Sequence, residues 1–158
     1  HVQSPLLNIA NSCTICHRWS EAEILARVES IQDGVQQARQ RAEKAIVQAH
    51  FDIAAAAQAG ASDEELAVAR KLVRQAQLRW DYVAAANGMG FHAPQLSLQT
   101  LAAAVDIAGQ CRVECARILA RHGITTPVEY PDYSSKEKAQ AVVKAFLDKN
   151  PPALIRRP

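Results

Sequence analysis

A helical pattern that runs without a break from Ser20 to Gly60 limits the folds open to this chain. Ser20 and Glu23 form a capping box that predicts the helix start, and Gly60 is typical of a helix end. Small and apolar residues between them recur mainly every three or four positions, as in a coiled-coil seam. The seam consists of Ile24, Val28, Ile31, Val35, Ala38, Ala42, Ala45, Ala49, Ile53 and Ala56. At 1.5 Å per residue, about forty residues give a rod of roughly 60 Å, which needs a partner helix, another subunit or a further domain to cover it.

A second helix follows after a short turn. Ser62 and Glu65 form another capping box, and the turn Ala59–Ser62 predicts that the first two helices form an antiparallel hairpin. The buried stripe predicted for the second helix is Leu66, Ala69, Leu72 or Val73, Ala76, Trp80 and Val83. The glycine-rich stretch at residues 87–90 then breaks the pattern.

Two more helices complete the pattern. One is predicted from about Gln95 to His122, where Gly123 ends it, and a short amphipathic helix is predicted from Ser135 to about Asp148. The buried stripe predicted for the third helix is Leu98, Leu101, Val105, Ala108, Cys111, Cys115, Ile118 and His122. The inner side predicted for the fourth helix is Ala139, Val142, Val143 and Phe146.

The composition agrees with these helices. Aromatic residues make up 5% of the chain and alanine is abundant, which favours closely packed helices over sheets. The predicted fold is therefore all-α, with a long antiparallel helical hairpin, a third long helix and a short C-terminal helix. We expect three regions: an N-terminal segment at 1–19, a long-helix bundle at 20–123, and a loop, helix and tail at 124–158. The net charge is only +2 and the sequence contains no block of like charges, so no nucleic-acid partner is expected.

The N-terminal segment carries the motif Cys13-Thr14-Ile15-Cys16-His17. C-x-x-C-H is the attachment motif of c-type haem, in which each cysteine bonds to a vinyl group and the histidine ligates the iron. The motif therefore predicts covalent haem c held by Cys13, Cys16 and His17, with electron transfer or redox catalysis as its function. The alternative is a thiol pair for redox exchange or a partial metal site.

The remaining cysteines and histidines need separate interpretations. Cys111 and Cys115 share a helical face at a distance too large for a disulfide, so they are predicted to be buried and free. A metal site that adds His122 is a weaker alternative, because a histidine at a helix C-terminus already interacts favourably with the helix dipole. His92 lies in the break between two helices, where flanking glycine and proline could hold it toward a cofactor. A surface or capping histidine is the alternative.

The chain resembles a known family along most of its length, from residue 1 to about residue 140. The matching segments are His1 with Ser4-Pro5, Cys13–His17, Ala49-His50-Phe51, Ala59-Gly60-Ala61, Gln77–Asp81, Phe91–Pro94, Ala116–Leu119, Gly123-Ile124 and Ser135–Gln140. Taken together, they resemble the C-terminal part of the multihaem, ammonia-forming cytochrome c nitrite reductases. The chain also lacks an initiator methionine and a signal peptide, so we expect a piece that begins within a longer protein.

The resemblance implies a function and a set of ligands. Members of this family are periplasmic, largely helical dimers that reduce nitrite to ammonium with electrons relayed between several c-type haems. Cys13, Cys16 and His17 match the last haem-binding motif of the family. His1 and His92 match distal ligands to two haems that are attached upstream of the region matched here. Attachment needs a dedicated maturation system, so a chain made in an ordinary cytoplasm is expected to carry bare thiols.

The resemblance also implies partners. These are the upstream haem-bearing part of the same enzyme, a second copy that dimerises through the long helices, and a redox partner cytochrome or quinol dehydrogenase. We expect the alanine-rich seam of the first helix to form the subunit contact. The chain departs from the whole enzyme because it has no C-x-x-C-K motif for the catalytic haem, so it is expected to be inactive alone. The alternatives are part of a multihaem cytochrome that transfers electrons or acts on another substrate, and a haem-free helical interaction module.

Overall fold

The computed structural model describes residues 3–149, so His1 and the tail from Asn150 lie outside the described residues. All the regular secondary structure in the described part is helical, and this part contains no strand. The all-α prediction is therefore confirmed. The chain divides into two compact units, His1–Thr125 and Thr126–Pro158. The predicted boundaries at residues 19 and 123 stay predictions.

Five helical elements are present among the described residues. They are a 3₁₀ helix at Pro5–Asn11 and the α-helices α1 (Glu21–Gln58), α2 (Asp63–Ala84), α3 (Pro94–Arg121) and α4 (Lys136–Lys149). Ser20 and Ser62 cap α1 and α2, and the Glu23 and Glu65 carboxylates accept hydrogen bonds from the Ser20 and Ser62 backbone N–H groups, each at 2.9 Å. Both predicted capping boxes are therefore confirmed. Within the described residues, no helix is long and apolar enough to cross a membrane.

The core of the first unit lies where α3 packs along both α1 and α2. Its α1 and α3 faces are lined by alanines that are 0% exposed, among them Ala42, Ala49, Ala104 and Ala108. Small side chains let the helix axes approach closely, so the long rod of α1 is covered by helices of its own chain.

This packing corrects the expected use of the alanine-rich seam. Ala42, Ala49 and Ala56 are all 0% exposed within a single chain, so they have no surface left for a second copy. The seam is the intramolecular face of α1, because α2 and α3 supply the partner helices that the rod requires. A contact between two chains would use another face.

Other stripe residues depart from prediction for geometric reasons. Leu98 is 41% exposed and Ser97 is buried in its place, because one residue along a helix turns the side chain by about 100°. On α4, Val143 and Phe146 are at least half exposed rather than buried. Asp52 is buried although the apolar pattern omitted it, and its Oδ2 accepts a hydrogen bond from Arg112 Nε at 3.0 Å.

The prediction of buried, free thiols at Cys111 and Cys115 is confirmed. Cys111 Sγ donates to the Ala69 carbonyl at 3.3 Å, and the hydrogen bond between the two thiols raises the pKa of Cys115. His122 Nε2 instead lies 3.2 Å from a Glu65 carboxylate oxygen. Within residues 3–149 no group of three histidine, cysteine or acidic side chains is arranged to hold a metal, so the weaker alternative of a site with His122 is wrong.

Candidate functional site

The C-x-x-C-H segment folds into a single helical turn. The Cys13 carbonyl accepts hydrogen bonds from the backbone N–H groups of Cys16 at 3.2 Å and His17 at 2.9 Å. The preceding 3₁₀ helix supports the turn, because the Ile9 carbonyl accepts the N–H of Cys13 at 3.0 Å. Ile9 is buried with Ile24 of α1, and this contact attaches the segment to the bundle.

The side chains of this turn line an open cavity of about 620 Å³. Cys13 is half-buried and Cys16 is exposed, and both thiols are free. The walls are mainly apolar and include Ile24, Val28 and Phe91. A cavity of this size, with apolar walls and a few reactive groups, is typical of a cofactor site.

His92 lines the same cavity, although it lies far along the chain from the motif, on the loop between α2 and α3. This loop is built from tight turns, in which the Gly88 carbonyl accepts the Phe91 N–H at 2.9 Å and the Gly90 carbonyl accepts the Ala93 N–H at 3.2 Å. Gln32 of α1 donates a hydrogen bond from Nε2 to the Gly88 carbonyl at 3.2 Å. The bundle therefore fixes the backbone that carries His92.

Gly90 is required for the close approach of this loop to α1. Its φ of +77° is one that side chains with a Cβ rarely adopt. A Cβ at this position would lie 2.8 Å from Val35 Cγ2 and 3.0 Å from Ser97 Oγ. Glycine thus lets the loop pack directly against α1 and α3, and His92 follows two residues later.

The structure brings four predicted site residues together, since Cys13, Cys16, His17 and His92 all line the cavity of about 620 Å³. Cys13 and His92 also line an adjacent cavity of about 610 Å³, which extends toward Ser4 and Gly88. The predicted ligand His1 lies outside the described residues. The ligand roles of all these residues stay predictions.

Two further residues line the same cavity, Trp19 and Arg27, although the sequence alone did not predict them there. The ring centroids of His17 and Trp19 are 5.3 Å apart with an interplanar angle of 14°, so the rings stack. The Arg27 guanidinium carbon lies 5.4 Å from the Trp19 ring centroid. The available signal was an aromatic residue two positions after the motif, with an arginine about two turns further on.

This donor set fits a c-type haem. Two free thiols three residues apart occupy one turn, an imidazole follows them, and all three groups face an apolar cavity. Thiols can bond to vinyl groups and imidazole can ligate iron, while apolar walls suit a porphyrin. An all-helical protein with such a site falls in the class of c-type cytochromes.

Comparison with known proteins identifies the family. The sequence profile of the cytochrome c552 family matches residues 1–153, so the chain belongs to the cytochrome c552 family. Cytochrome c-552 of Porphyromonas gingivalis is 40% identical over 148 residues, and that of Bacteroides fragilis strain ATCC 25285 is 41% identical over 149 residues. Each alignment covers 94% of this chain and 30% of the relative. The chain therefore spans about 30% of the length of these relatives. The family implies a c-type cytochrome with covalently bound haem and a role in electron transfer.

Proposed function

We propose that Cys13 and Cys16 attach one haem c and that His17 is its proximal ligand. The observation that supports this most directly is that the two thiols and the imidazole line one apolar cavity. The two thiols would hold the porphyrin through thioether bonds to its two vinyl groups. The haem, when bound, supplies a one-electron couple.

The residues of the chain have distinct tasks in this proposal. The two thioethers fix the porphyrin to the turn at residues 13–17, and His17 sets the electronic state of the iron. The apolar side chains of α1 and Phe91 form one wall of the site. His92, and His1 at the N-terminus, serve as distal ligands to haems attached elsewhere in a longer protein. If the upstream part of the protein supplied a second imidazole to the haem held by His17, the iron would have no open position and the site would transfer electrons rather than bind substrate.

The finer proposal is that this chain is the C-terminal part of an ammonia-forming cytochrome c nitrite reductase. Its support is the sequence resemblance over residues 1 to about 140 and the family membership. In this proposal the upstream part carries the catalytic haem, a cytochrome or quinol dehydrogenase delivers electrons, and the enzyme works in the periplasm. The chain alone would not reduce nitrite, since it contains no C-x-x-C-K motif.

Dimerisation through the long helices belongs to the same proposal, but on a different face from the buried seam. Gly34 is exposed on the outer side of α1, and no atom lies within 4 Å of a Cβ placed there. A bulky residue fits this position without disturbing the bundle. We therefore expect Gly34→Trp to weaken self-association without loss of helicity, as measured by analytical ultracentrifugation and circular dichroism. Unchanged association would remove this face from the interface.

The haem proposal is tested on the chain matured in a cell that assembles c-type cytochromes. A denaturing mass spectrum should show one added haem mass, and the pyridine haemochrome should have the c-type absorption. The double variant Cys13→Ser/Cys16→Ser should lose both signals. The matched control Cys111→Ala/Cys115→Ala removes the same number of thiols from the bundle and should keep them. A bare mass for the unaltered chain would contradict haem attachment and favour a haem-free helical module.

The nitrite reductase proposal needs a separate test on the full-length protein. A C-x-x-C-K motif in the coding sequence upstream of His1, together with ammonium formation from nitrite by the purified protein, would support it. Histidine in every upstream haem motif, together with electron transfer but no ammonium, would favour the non-catalytic multihaem cytochrome.

A further inference from the structure

Two ring contacts stand beside the C-x-x-C-H turn, and together they form a stack. The His17 imidazole lies nearly parallel to the Trp19 indole, at 5.3 Å and 14°, and the Arg27 guanidinium lies over the indole at 5.4 Å. All three side chains line the cavity of about 620 Å³. The stack therefore involves the proposed iron ligand and belongs to the proposed haem site.

The stack matters because His17 lacks the usual means of orientation. A metal-ligating histidine ordinarily donates its second ring N–H to a carboxylate, a carbonyl or water, which fixes the plane of the ring. Within residues 3–149, no hydrogen bond of the protein reaches the His17 ring, and Trp19 is the ring partner that the structure gives it. The indole is thus the group placed to hold the imidazole plane.

Helix α1 in turn places the indole. Trp19 directly precedes Ser20, the N-cap of α1, whose capping box fixes the start of the helix. Arg27 lies in the second turn of α1, and in the described part of the chain its guanidinium has no carboxylate partner. A cation over the face of an indole is attracted by the ring quadrupole. Although Trp19 is 51% exposed, it is thereby held between a rigid helix and the histidine.

We propose that Trp19 is a positioning residue that fixes the imidazole plane of His17, with Arg27 holding Trp19 in place. This rests on the proposed role of His17 as a haem ligand. When haem is bound, the orientation of its imidazole ligand would influence the splitting of the iron d orbitals, so Trp19 would tune the iron without touching it. The function of the indole is geometric, and phenylalanine, which keeps an aromatic face, should replace it in part.

The second tryptophan of the chain provides a matched control. Trp80 also meets an arginine, with the Arg39 guanidinium carbon 5.7 Å from its ring, and its Nε1 donates to the Arg39 carbonyl at 3.1 Å. This pair belongs to the bundle and has no part in the cavity. Trp80→Phe therefore removes an indole and an indole–arginine contact while leaving His17 alone.

The first experiment uses the haem-free chain and needs no cofactor. Protons of an imidazole that stacks on an indole resonate upfield because of the ring current. In a ¹H–¹³C correlation spectrum, the His17 ring signals should lie upfield in the unaltered chain and move downfield in Trp19→Ala. They should move partly in Trp19→Phe, slightly in Arg27→Gln, and not at all in Trp80→Phe. His17 signals that are the same in Trp19→Ala and in the unaltered chain would overturn the proposal.

The second experiment uses the haem-loaded chain. The g values of the ferric haem in electron paramagnetic resonance report the orientation of the axial ligand. They should change in Trp19→Ala, return toward the original values in Trp19→Phe, and stay constant in Trp80→Phe. Upfield-shifted His17 signals combined with g values that no Trp19 variant changes would overturn the positioning role. Failure of the proposed haem function would look different, since the unaltered chain would then carry no haem whatever the first experiment shows.

Discussion

The bundle of α1, α2 and α3 and the N-terminal segment at residues 3–19 differ in how many apolar side chains they bury, although the bundle also exposes some, such as Leu78. In the bundle, Leu66, Leu101 and Ile118 are no more than 1% exposed. In the segment, Ile9 is the one buried side chain, whereas Leu7 and Ile15 are each 74% exposed. The bundle therefore obtains its stability from its own side chains. The segment presents apolar surface and two free thiols, as expected of a region that holds a covalent haem.

The cavity of about 620 Å³ is lined both by residues of the bundle and by residues of the N-terminal segment. His92 stands on a loop that the bundle fixes through Gly90 and Gln32, whereas Cys16 and His17 stand on the exposed turn of the segment. One wall of the site is thus preformed, and the other depends on a few contacts around Ile9. Substitutions in the bundle should therefore destabilise the fold more than matched substitutions in the segment.

Ala42→Glu should have the largest effect on the bundle. Ala42 is 0% exposed in the cluster that includes Val35, Val83 and Leu101, so the variant places a carboxylate in an apolar, close-packed site. We expect a loss of about 4 kcal/mol or more in the free energy of unfolding, measured by urea denaturation. The control Gly34→Glu puts the same side chain on the exposed face of α1 and should stabilise the chain slightly, since glycine is the poorer helix former. Equal stability of the two variants would contradict the assignment of the seam to the core.

Leu101→Ala and Leu7→Ala compare the two regions by removing the same atoms from each. Leu101 is 1% exposed, so its truncation should cost about 2–5 kcal/mol through lost burial and a residual cavity. Leu7 is largely exposed, and its truncation should change the unfolding free energy by less than about 0.5 kcal/mol. The measurement is again urea denaturation, on the haem-free chain. A large loss in Leu7→Ala would show that the segment is part of the cooperative core.

The bundle could be predicted closely because its signals are local. The capping boxes at Ser20 and Ser62 lie within four residues, and the stripe of α2 repeats often enough to locate Leu66, Ala69, Val73, Ala76 and Val83, all of which are buried. The burial of Asp52 was missed because the pattern was read for apolar residues, although Asp52 is in helical register with Ala49 and Ala56. Its partner Arg112 lies sixty positions away.

The candidate site was predictable in its chemistry but not in its assembly. C-x-x-C-H indicates haem from residue types and spacing alone. That His92 lines the same cavity as Cys13 depends on how α1 and α3 bring two distant loops together, which no local pattern encodes. The stack of Trp19 on His17 was missed for a related reason, since it depends on the direction in which the chain enters α1.

Gly90→Ala should have an intermediate effect and weaken the preformed wall of the site. The added Cβ meets Val35 Cγ2 at 2.8 Å, and alanine is strained at a φ of +77°. We expect a loss of about 1–3 kcal/mol in unfolding free energy, with faster amide exchange in the loop at residues 86–93. Gly109→Ala is the control, because no atom lies within 4 Å of a Cβ at this helical position. If both glycine variants behave alike, the loop is not fixed by its contact with α1.

Glu65→Gln should have the smallest effect on the stability of the chain. It tests whether the bundle contains a contact whose contribution to stability depends on pH. The Glu65 carboxylate accepts the Ser62 N–H at 2.9 Å and lies 3.2 Å from His122 Nε2, so it links the start of α2 to the end of α3. The Ser62 hydrogen bond, helped by His122 and Arg121, holds the pKa of Glu65 below its ordinary value. A carboxyl with a lowered pKa contributes stability that is complete above its unfolded-state pKa and is lost as the pH falls through its folded-state pKa. Glutamine keeps an acceptor for the cap but cannot titrate, so urea midpoints of the variant should fall less steeply in this acidic range.

A control variant distinguishes the contribution of the Glu65 carboxylate from that of an ordinary surface charge. The Glu65 side chain is 34% exposed, so solvent screens its interactions, and the difference should be small compared with those of Ala42→Glu, Leu101→Ala and Gly90→Ala. Glu64→Gln neutralises the neighbouring exposed carboxylate in the first turn of α2 and is the matched control. If both glutamine variants alter the pH dependence equally, net charge rather than the Ser62–Glu65–His122 contact is responsible. If Glu65→Gln alone alters it, the contact is a property of the folded bundle, and the same pH dependence should appear in the haem-free and haem-loaded chains.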